Sequence, residues 1–429
     1  MTSYGTPDTV VHARTAADVA GAIHHARDTG TPLTVRSGGH SIAGHSTAAG
    51  GLLLDLRGLY GIQVLDASRG LVRVGAGATW GLVARRLAPY GLAISAGDTA
   101  SVGVGGLTLG GGIGWMVRRY GLAIDSVVGA EIVTADGRVR TVDRDRDPDL
   151  FWALRGGGGN AGVVTRLDFV AARVSKVVTG TIAYDAGEPA AVLRGWRDHL
   201  RTSDDRLTSV ASLVPETPAG PAQLVVRWCF SEHDPVAADR ATAPLRRIGS
   251  VVGDDVAVIP YAEVLEEHVM PDGMQVAMRN ALVPSLSDDG LDAALALAAA
   301  TPTVLAFRGL GGAVEWVDRD ATAFAHRDAE AMVIAARMAP PGAPVPSLDG
   351  PGDDWAAVAR HGTGAYVGFL DESDPAAVAS AYPEETYARL AAVKHAYDPE
   401  NLFRRNHNVV PERGATPTLS GCRASVSPA

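Results

Sequence analysis

Seven of the twelve residues from Gly103 to Gly114 (GVGGLTLGGGIG) are glycine. Backbone that bare can lie against a neighbour with no side chain holding it off, while Val104, Leu107, Leu109 and Ile113 anchor the segment in a core. Two further clusters flank it. Arg36-Ser37-Gly38-Gly39-His40-Ser41 follows directly on a strand-like run, Pro32 to Val35, and Gly156 to Gly159 leads into Asn160 and Gly162. In the first of these, two glycines let successive N–H groups converge on an anion such as a pyrophosphate, with an accessible histidine at the apex. Read alone, that hexapeptide fits a tight turn with a satisfied histidine equally well, and Gly103 to Gly114 fits a glycine-rich structural crossing. The third cluster satisfies G-x-G-x-x-G from Gly157. It follows an apparent helix rather than a strand, which argues against a dinucleotide-binding βαβ unit.

The rest of the chain sets these clusters in an α+β context. Thr15 begins a TAAD capping-box pattern before Val19, Ala20, Ile23 and Ala26 at helical spacing, and Gly30 ends the helix. Strands are expected at Leu52 to Leu56, Ile62 to Leu65, Leu71 to Val74, Val128 to Thr134 and Val163 to Val170, with helices at Trp80 to Leu87 and Asp149 to Leu154. After about residue 172 the glycine clusters largely stop, and alternating strands interleave with longer helices at Ala190 to His199 and Pro235 to Ile248. Leu291 to Phe307 reads as a buried helix. It is no membrane span, because Asp292 and Pro302 break it before the ~20 apolar residues a bilayer requires. The domains expected are 1–172, 173–381 and a returning segment 382–411, with a disordered tail over 412–429.

Composition narrows the function. A net charge of −10 without any basic run excludes a surface that tracks nucleic-acid phosphates. The two cysteines, Cys229 and Cys422, support neither a disulfide framework nor a thiolate metal site. No metal is expected at His40 and His45 either, since no acidic or cysteine partner lies nearby. With lysine only at 176 and 394, Schiff-base chemistry has few candidates, and there is no G-x-S-x-G elbow. The N-terminus lacks a basic region followed by an apolar run, so a cytoplasmic protein, monomeric or homodimeric, is expected.

Four segments in one order, RSGGHS, GVGGLTLGGGIG, RGGGGNAGVVT and the C-terminal YDPENLFRRNHN, resemble the berberine-bridge-like and hydroxynicotine-oxidase-like FAD-linked oxidases. The resemblance covers roughly residues 7 to 172 and 382 to 411. It implies a two-subdomain FAD-binding domain of the PCMH type, and an α+β substrate domain whose antiparallel sheet roofs the flavin. His40 matches the histidine that bonds to the flavin 8α-methyl group, and Arg36, Ser37, Gly38, Gly39 and Ser41 match the pyrophosphate wrap. Gly103, Gly105 and Gly106 fall in the family's glycine segment, Gly162 and Val164 match backbone contacts to the cofactor, and Asn406 and Asn408 match polar residues near the isoalloxazine. The bland reading of the two asparagines is turn formation after Pro399. Thr99 stands where several members carry a second flavin-linking cysteine, so the resemblance implies one covalent bond. Val102 matches the small side chain that accompanies reaction with O2.

Oxidation at a flavin needs a substrate C–H over N5 and often a base for the accompanying proton. The candidates are Tyr382 in AYPEETY, then Tyr366 in GAYVGFL, read as a strand, and His326 near Phe324 in TAFAHRD. Tyr366 and Phe324 also suit a plain core role. A phenol, ordinarily near pKa ~10, must be lowered to act as a base at neutral pH. The resulting expectation is a covalent-FAD oxidase acting on a small-molecule alcohol, amine or biosynthetic intermediate and releasing peroxide. The alternatives are a flavin-dependent oxidative cyclase or oxygenase, and a non-redox cyclase or isomerase that retains FAD.

Overall fold

The computed structural model describes residues 6–217, 220–267, 274–349 and 355–412. The expected tail from 413 onward lies outside them. Near the N-terminus the helix Ala16–Thr29 starts on the expected capping box. Thr15 Oγ1 accepts from the Asp18 amide at 3.2 Å, and the Asp18 carboxylate accepts from the Thr15 amide at 2.9 Å. The helix stops at Gly30, which takes φ 68°, a left-handed conformation that only glycine adopts without penalty. Its buried face, Val19, Ala22, Ile23 and Ala26, packs in the same core as a three-stranded parallel sheet with Leu52–Asp55 between Thr9–His12 and Leu33–Arg36.

A second, antiparallel sheet follows in the order Ile62–Asp66, Leu71–Gly75, Val163–Val170, Val127–Val133, Val139–Val142. The third and largest is antiparallel throughout. Its seven strands run Val251–Pro260, Lys176–Tyr184, Gln223–Phe230, Leu207–Val214, Val304–Gly309, Ala331–Ala339, Gln275–Val283. Strand residues alternate between faces. Leu305, Phe307 and Val333 pack under the helices Pro189–Thr202, Asp288–Ala300 and Trp355–Ala359 through Trp196, Leu291 and Trp355. The opposite face meets the glycine-rich elements, where Met332 and Ile334 join Ile113 and Val117, and Val177, Val210 and Cys229 join Trp115 and Met116. Beside the N-terminal units lies the C-terminal helix Glu384–Tyr397, its Arg389 stacked 4.0 Å above the Trp152 ring and paired with Asp149 at 2.9 Å.

Three local expectations are corrected, and the glycine-rich segment holds a helix. Within Gly103 to Gly114, Val104–Gly110 is helical despite its glycines, because burying Val104, Thr108 and Leu109 outweighs a propensity cost of about 1 kcal/mol per glycine. The run from Leu291 does not stay helical to Phe307. The helix ends at Ala300, and after Pro302 the chain becomes the strand Val304–Gly309. The helix from Pro235 ends at Thr242, and a 3₁₀ turn follows Pro244. Tyr366 is extended but leads into a 3₁₀ turn, Val367–Phe369, not a strand. There Gly364 makes only a single antiparallel bridge to Leu282 of the edge strand Gln275–Val283, and it comes so close to His326 that a Cβ would lie 2.2 Å from the ring.

The sheet's helix-covered face carries its stability. Phe307→Ala is expected to lower the unfolding free energy by about 3–5 kcal/mol, whereas Val252→Ala, 69% exposed on the edge strand, should change it by less than about 0.5 kcal/mol. Urea unfolding followed by circular dichroism separates the two.

Candidate functional site

The two N-terminal glycine clusters meet backbone to backbone. A Cβ on Gly38 would stand 2.2 Å from the Gly103 nitrogen, and one on Gly103 would stand 2.3 Å from Ser37 Oγ, so only glycine permits the contact. Ser37 Oγ donates to Ala76 O at 2.7 Å, and the amides of Val104 and Gly105 donate to Ala78 O and Ala76 O, so one short segment holds both clusters. Trp80 N donates to Val102 O, which ties Val102 to the same place. Arg36 leans on the fully buried Asp55 carboxylate at 3.6 Å. Ser41 Oγ accepts from the His45 amide at 3.0 Å, which closes the loop behind His40.

His40 itself is exposed at the tip of this loop beside Gly39, which has φ 88°. Partial desolvation lowers its imidazole pKa, with the Glu267 carboxylate working in the other direction, so the ring is neutral at neutral pH. Thr99 is buried. Its hydroxyl donates to Asp98 at 2.9 Å, and its backbone pairs with that of Glu266. Gly106 and Gly159 both present bare backbone to open space, since a Cβ there would meet nothing within 4 Å.

The third glycine cluster and the C-terminal segment are joined by a buried polar network. Lys394 is wholly buried; its Nζ donates to Phe403 O at 2.7 Å, to Asn408 Oδ1 at 3.0 Å and to Asn160 Oδ1 at 3.4 Å, and lies 3.5 Å from Asp398. Burial lowers Lys394 to about 8 and raises Asp398, each against the opposing pull of its partner. Asp398 also accepts from the Leu402 and Phe403 amides, while Asn160 reaches the backbone of Gly157, His407 and Val409. Asn408 is therefore part of this network. Asn406 is placed differently, for Nδ2 donates to Gly159 O at 3.1 Å while its buried Oδ1 has no partner. Gly162 and Val164 are buried in or beside the strand Val163–Val170, and a Cβ on Gly162 would stand 2.6 Å from Val133 O.

The three candidate bases differ sharply in their surroundings. Tyr366 lies in the apolar layer with Phe324 and accepts the Gly112 amide on its hydroxyl at 3.2 Å, with its own backbone locked on both sides by Asn280. His326 bridges Thr363 Oγ1 and Ala381 O, each at 3.3 Å, and burial keeps its ring neutral. Tyr382 is buried, and its hydroxyl alone among the three side chains has no partner; it lies 3.5 Å from where a Cβ on Gly158 would be. Burial raises the pKa of both tyrosines. Each is thus a neutral hydroxyl at rest, not a ready base.

A bare backbone cradle, an exposed neutral histidine and two orphaned buried polar atoms make up the candidate site of this α+β chain, whose seven-stranded sheet packs on the glycine-rich segment. Residues 7–143 match the family described as FAD binding domain, and residues 365–410 match the one described as berberine and berberine like. The (R)-6-hydroxynicotine oxidase of Paenarthrobacter nicotinovorans is 34% identical over 95% of this chain and 92% of its own length. The crystal structure of 6-hydroxy-D-nicotine oxidase from Arthrobacter nicotinovorans superposes with a TM-score of 0.85 at 31% identity, covering 96% of this chain and 94% of that one. At 22% identity, the glucooligosaccharide oxidase of Acremonium strictum shares the fold with a TM-score of 0.81 over 96% of this chain and 94% of its own, and its FAD carries a 6-S-cysteinyl and an 8α-N1-histidyl bond. The chain belongs to the berberine-like family of FAD-linked oxidoreductases. No helix among the described residues is long and apolar enough to cross a membrane, and none of their histidine, cysteine, aspartate and glutamate side chains cluster in threes that could hold a metal.

Sequence reasoning passed over the Lys394 network, although its central residue is one of only two lysines. It weighed His45 only beside His40 and passed over the pairing of His45 with His407, whose rings meet edge to face at 4.8 Å and join the His40 loop to the C-terminal segment. Burial depresses both from the ordinary 6.5 to about 4. Their contribution to stability is therefore complete above pH 6.5 and lost as the pH falls toward 4, since the unfolded chain takes up the protons first. Replacing both with phenylalanine should flatten the fall in urea midpoint across that acid range, and an unchanged slope would contradict the placement.

Proposed function

We propose that the protein carries FAD on a single covalent bond to His40 and oxidises a small organic molecule, passing the electrons to O2 as hydrogen peroxide. The observation that carries this reading is the exposed, neutral imidazole of His40 at the tip of a loop whose glycine backbone is pressed against the start of a helix. A neutral ring has the free nitrogen lone pair that bond formation requires. Thr99, engaged with Asp98, offers no thiol for a second bond, and Cys229 is buried in the roof sheet. When bound, FAD supplies a two-electron acceptor for the hydride of a substrate C–H.

The chain's own residues would hold and orient. Arg36, Ser37, Gly38, Gly39 and Ser41, with Gly103 and Gly106, would frame a pyrophosphate, Gly105 keeping the wall bare while its own amide is held by Ala76 O, and Val102 would keep the neighbouring wall small for O2. Gly162, Val164 and Asn406 line the far end, and Asn408 braces it through Lys394. Tyr382 is assigned the proton-handling role because its buried hydroxyl awaits a partner. A substrate hydroxyl or amine would complete that hydrogen bond. His326, bound to the Ala381 carbonyl, positions Tyr382, and Tyr366 positions the glycine turn at Gly112. The division into a cofactor unit, 1–172 with 382–411, and a substrate unit, 173–381, is supported by the sheets. Two of them end by Val170, while the seven-stranded one lies between Lys176 and Ala339.

A screen of alcohols, sugars, amines and polycyclic phenols that reads O2 uptake against peroxide release tests the activity. One peroxide per O2 is expected with the substrate class, and turnover without O2 uptake would contradict the oxidase reading. Tyr382→Phe should lower kcat by about 10²-fold or more with flavin content unchanged; full activity would remove Tyr382 from its role.

A further inference from the structure

The side of the roof sheet that packs on Ile113 and Trp115 carries two arginines near its centre. Register rows cross it, one of them running Thr181, Arg227, Val210, Arg308, Met332. Across the adjoining strands Leu207–Val214, Val304–Gly309 and Ala331–Ala339, Arg308 is the one charged residue on this face, since Arg337 points to the other side with Val333 and Ala335; Arg227, in the same row on the next strand, pairs with Glu266 and lies 5.6 Å from the centre of the Trp115 ring. A half-buried arginine against such a layer is costly unless its donors are used.

Only part of Arg308 is accounted for. Its Nη2 pairs with Asp98, the residue next to Thr99, and its guanidinium lies 5.5 Å from the centre of the Phe369 ring, which in turn meets Tyr366 edge to face at 5.6 Å. Its Nε–H is buried and has no partner. Asp98 already balances the charge, so a second carboxylate would be left uncompensated. The unpartnered Nε–H suits a neutral oxygen.

We propose that Arg308 is a specificity-determining residue whose Nε–H holds a neutral oxygen acceptor, a carbonyl, hydroxyl or ether, on a substrate with an otherwise apolar or aromatic frame. This deepens the flavin-oxidase reading and rests on it. Phe369 and Met332 then flank the body of the molecule, while its oxygen is drawn toward the Asp98 edge of the site.

The test titrates the purified holoenzyme with benzamide, which carries a carbonyl acceptor, and with benzylammonium, which has none, following perturbation of the flavin absorbance. Benzamide should bind the wild type and weaken by about tenfold or more in Arg308→Met. Benzylammonium should bind no more weakly in the variant. Arg308→Lys keeps a cation for Asp98 but lacks the Nε donor, so it should also lose benzamide affinity, and it serves if the methionine variant does not fold. Equal benzamide affinity in wild type and variants overturns the assignment, as does a wild type whose flavin ignores benzamide. A colourless wild type would instead contradict the flavin reading itself and take this one with it, whereas a yellow protein indifferent to Arg308 contradicts only the role of Arg308.

Discussion

The approach of Gly38 to Gly103 decides the shape of everything around the site. With a Cβ on either residue lying 2.2 Å from the other's backbone nitrogen, the contact exists only because both are glycine. It sets the loop that lifts His40 outward against the first turn of the helix Val104–Gly110, and the carbonyls of Ala76 and Ala78 hold both in register through Ser37, Val104 and Gly105. Side chains would push these segments apart. Bare backbone instead leaves an open approach at Gly39 and Gly106, and close approach to backbone is what binding a polyanionic cofactor without a dense cluster of arginine and lysine requires.

The second constraint arrives from the far end of the chain. Lys394 and Asp398 lie one helical turn apart and are both wholly inaccessible to solvent. Burying such a pair is expensive, and it is tolerated because Asn160, Asn408 and the carbonyl of Phe403 complete the donors of the lysine while two backbone amides complete the carboxylate. The same bonds fasten the third glycine cluster to the C-terminal segment and leave Asn406 beside Gly159 with one oxygen unpaired. A structural network thus ends in a buried acceptor with no partner.

Local signals in the sequence were legible where local chemistry determines the outcome. Thr15 with Asp18 and Gly30 marked the ends of the first helix, and the strand leading into RSGGHS placed His40 at an exposed turn. What could not be read depends on packing between distant segments. The helix within Gly103 to Gly114 defies propensity because its neighbours bury it, and Tyr366 is extended because Asn280 grips its backbone from the roof sheet. Nothing in the sequence joins Arg308 to Asp98 across 210 residues. The tyrosines' raised pKa values likewise come from burial, which residue identity does not reveal.

His40 as the sole tether is the claim from which the rest of the functional account follows. Peptide mapping of the denatured wild-type protein by mass spectrometry, alongside a His40→Ala variant, tests it most directly. The account predicts one FAD mass on the peptide that contains His40, none on any peptide containing Thr99, Cys229 or Cys422, and none anywhere in the variant. Flavin mass on another peptide, or a wild type whose FAD is wholly released on denaturation, would contradict it.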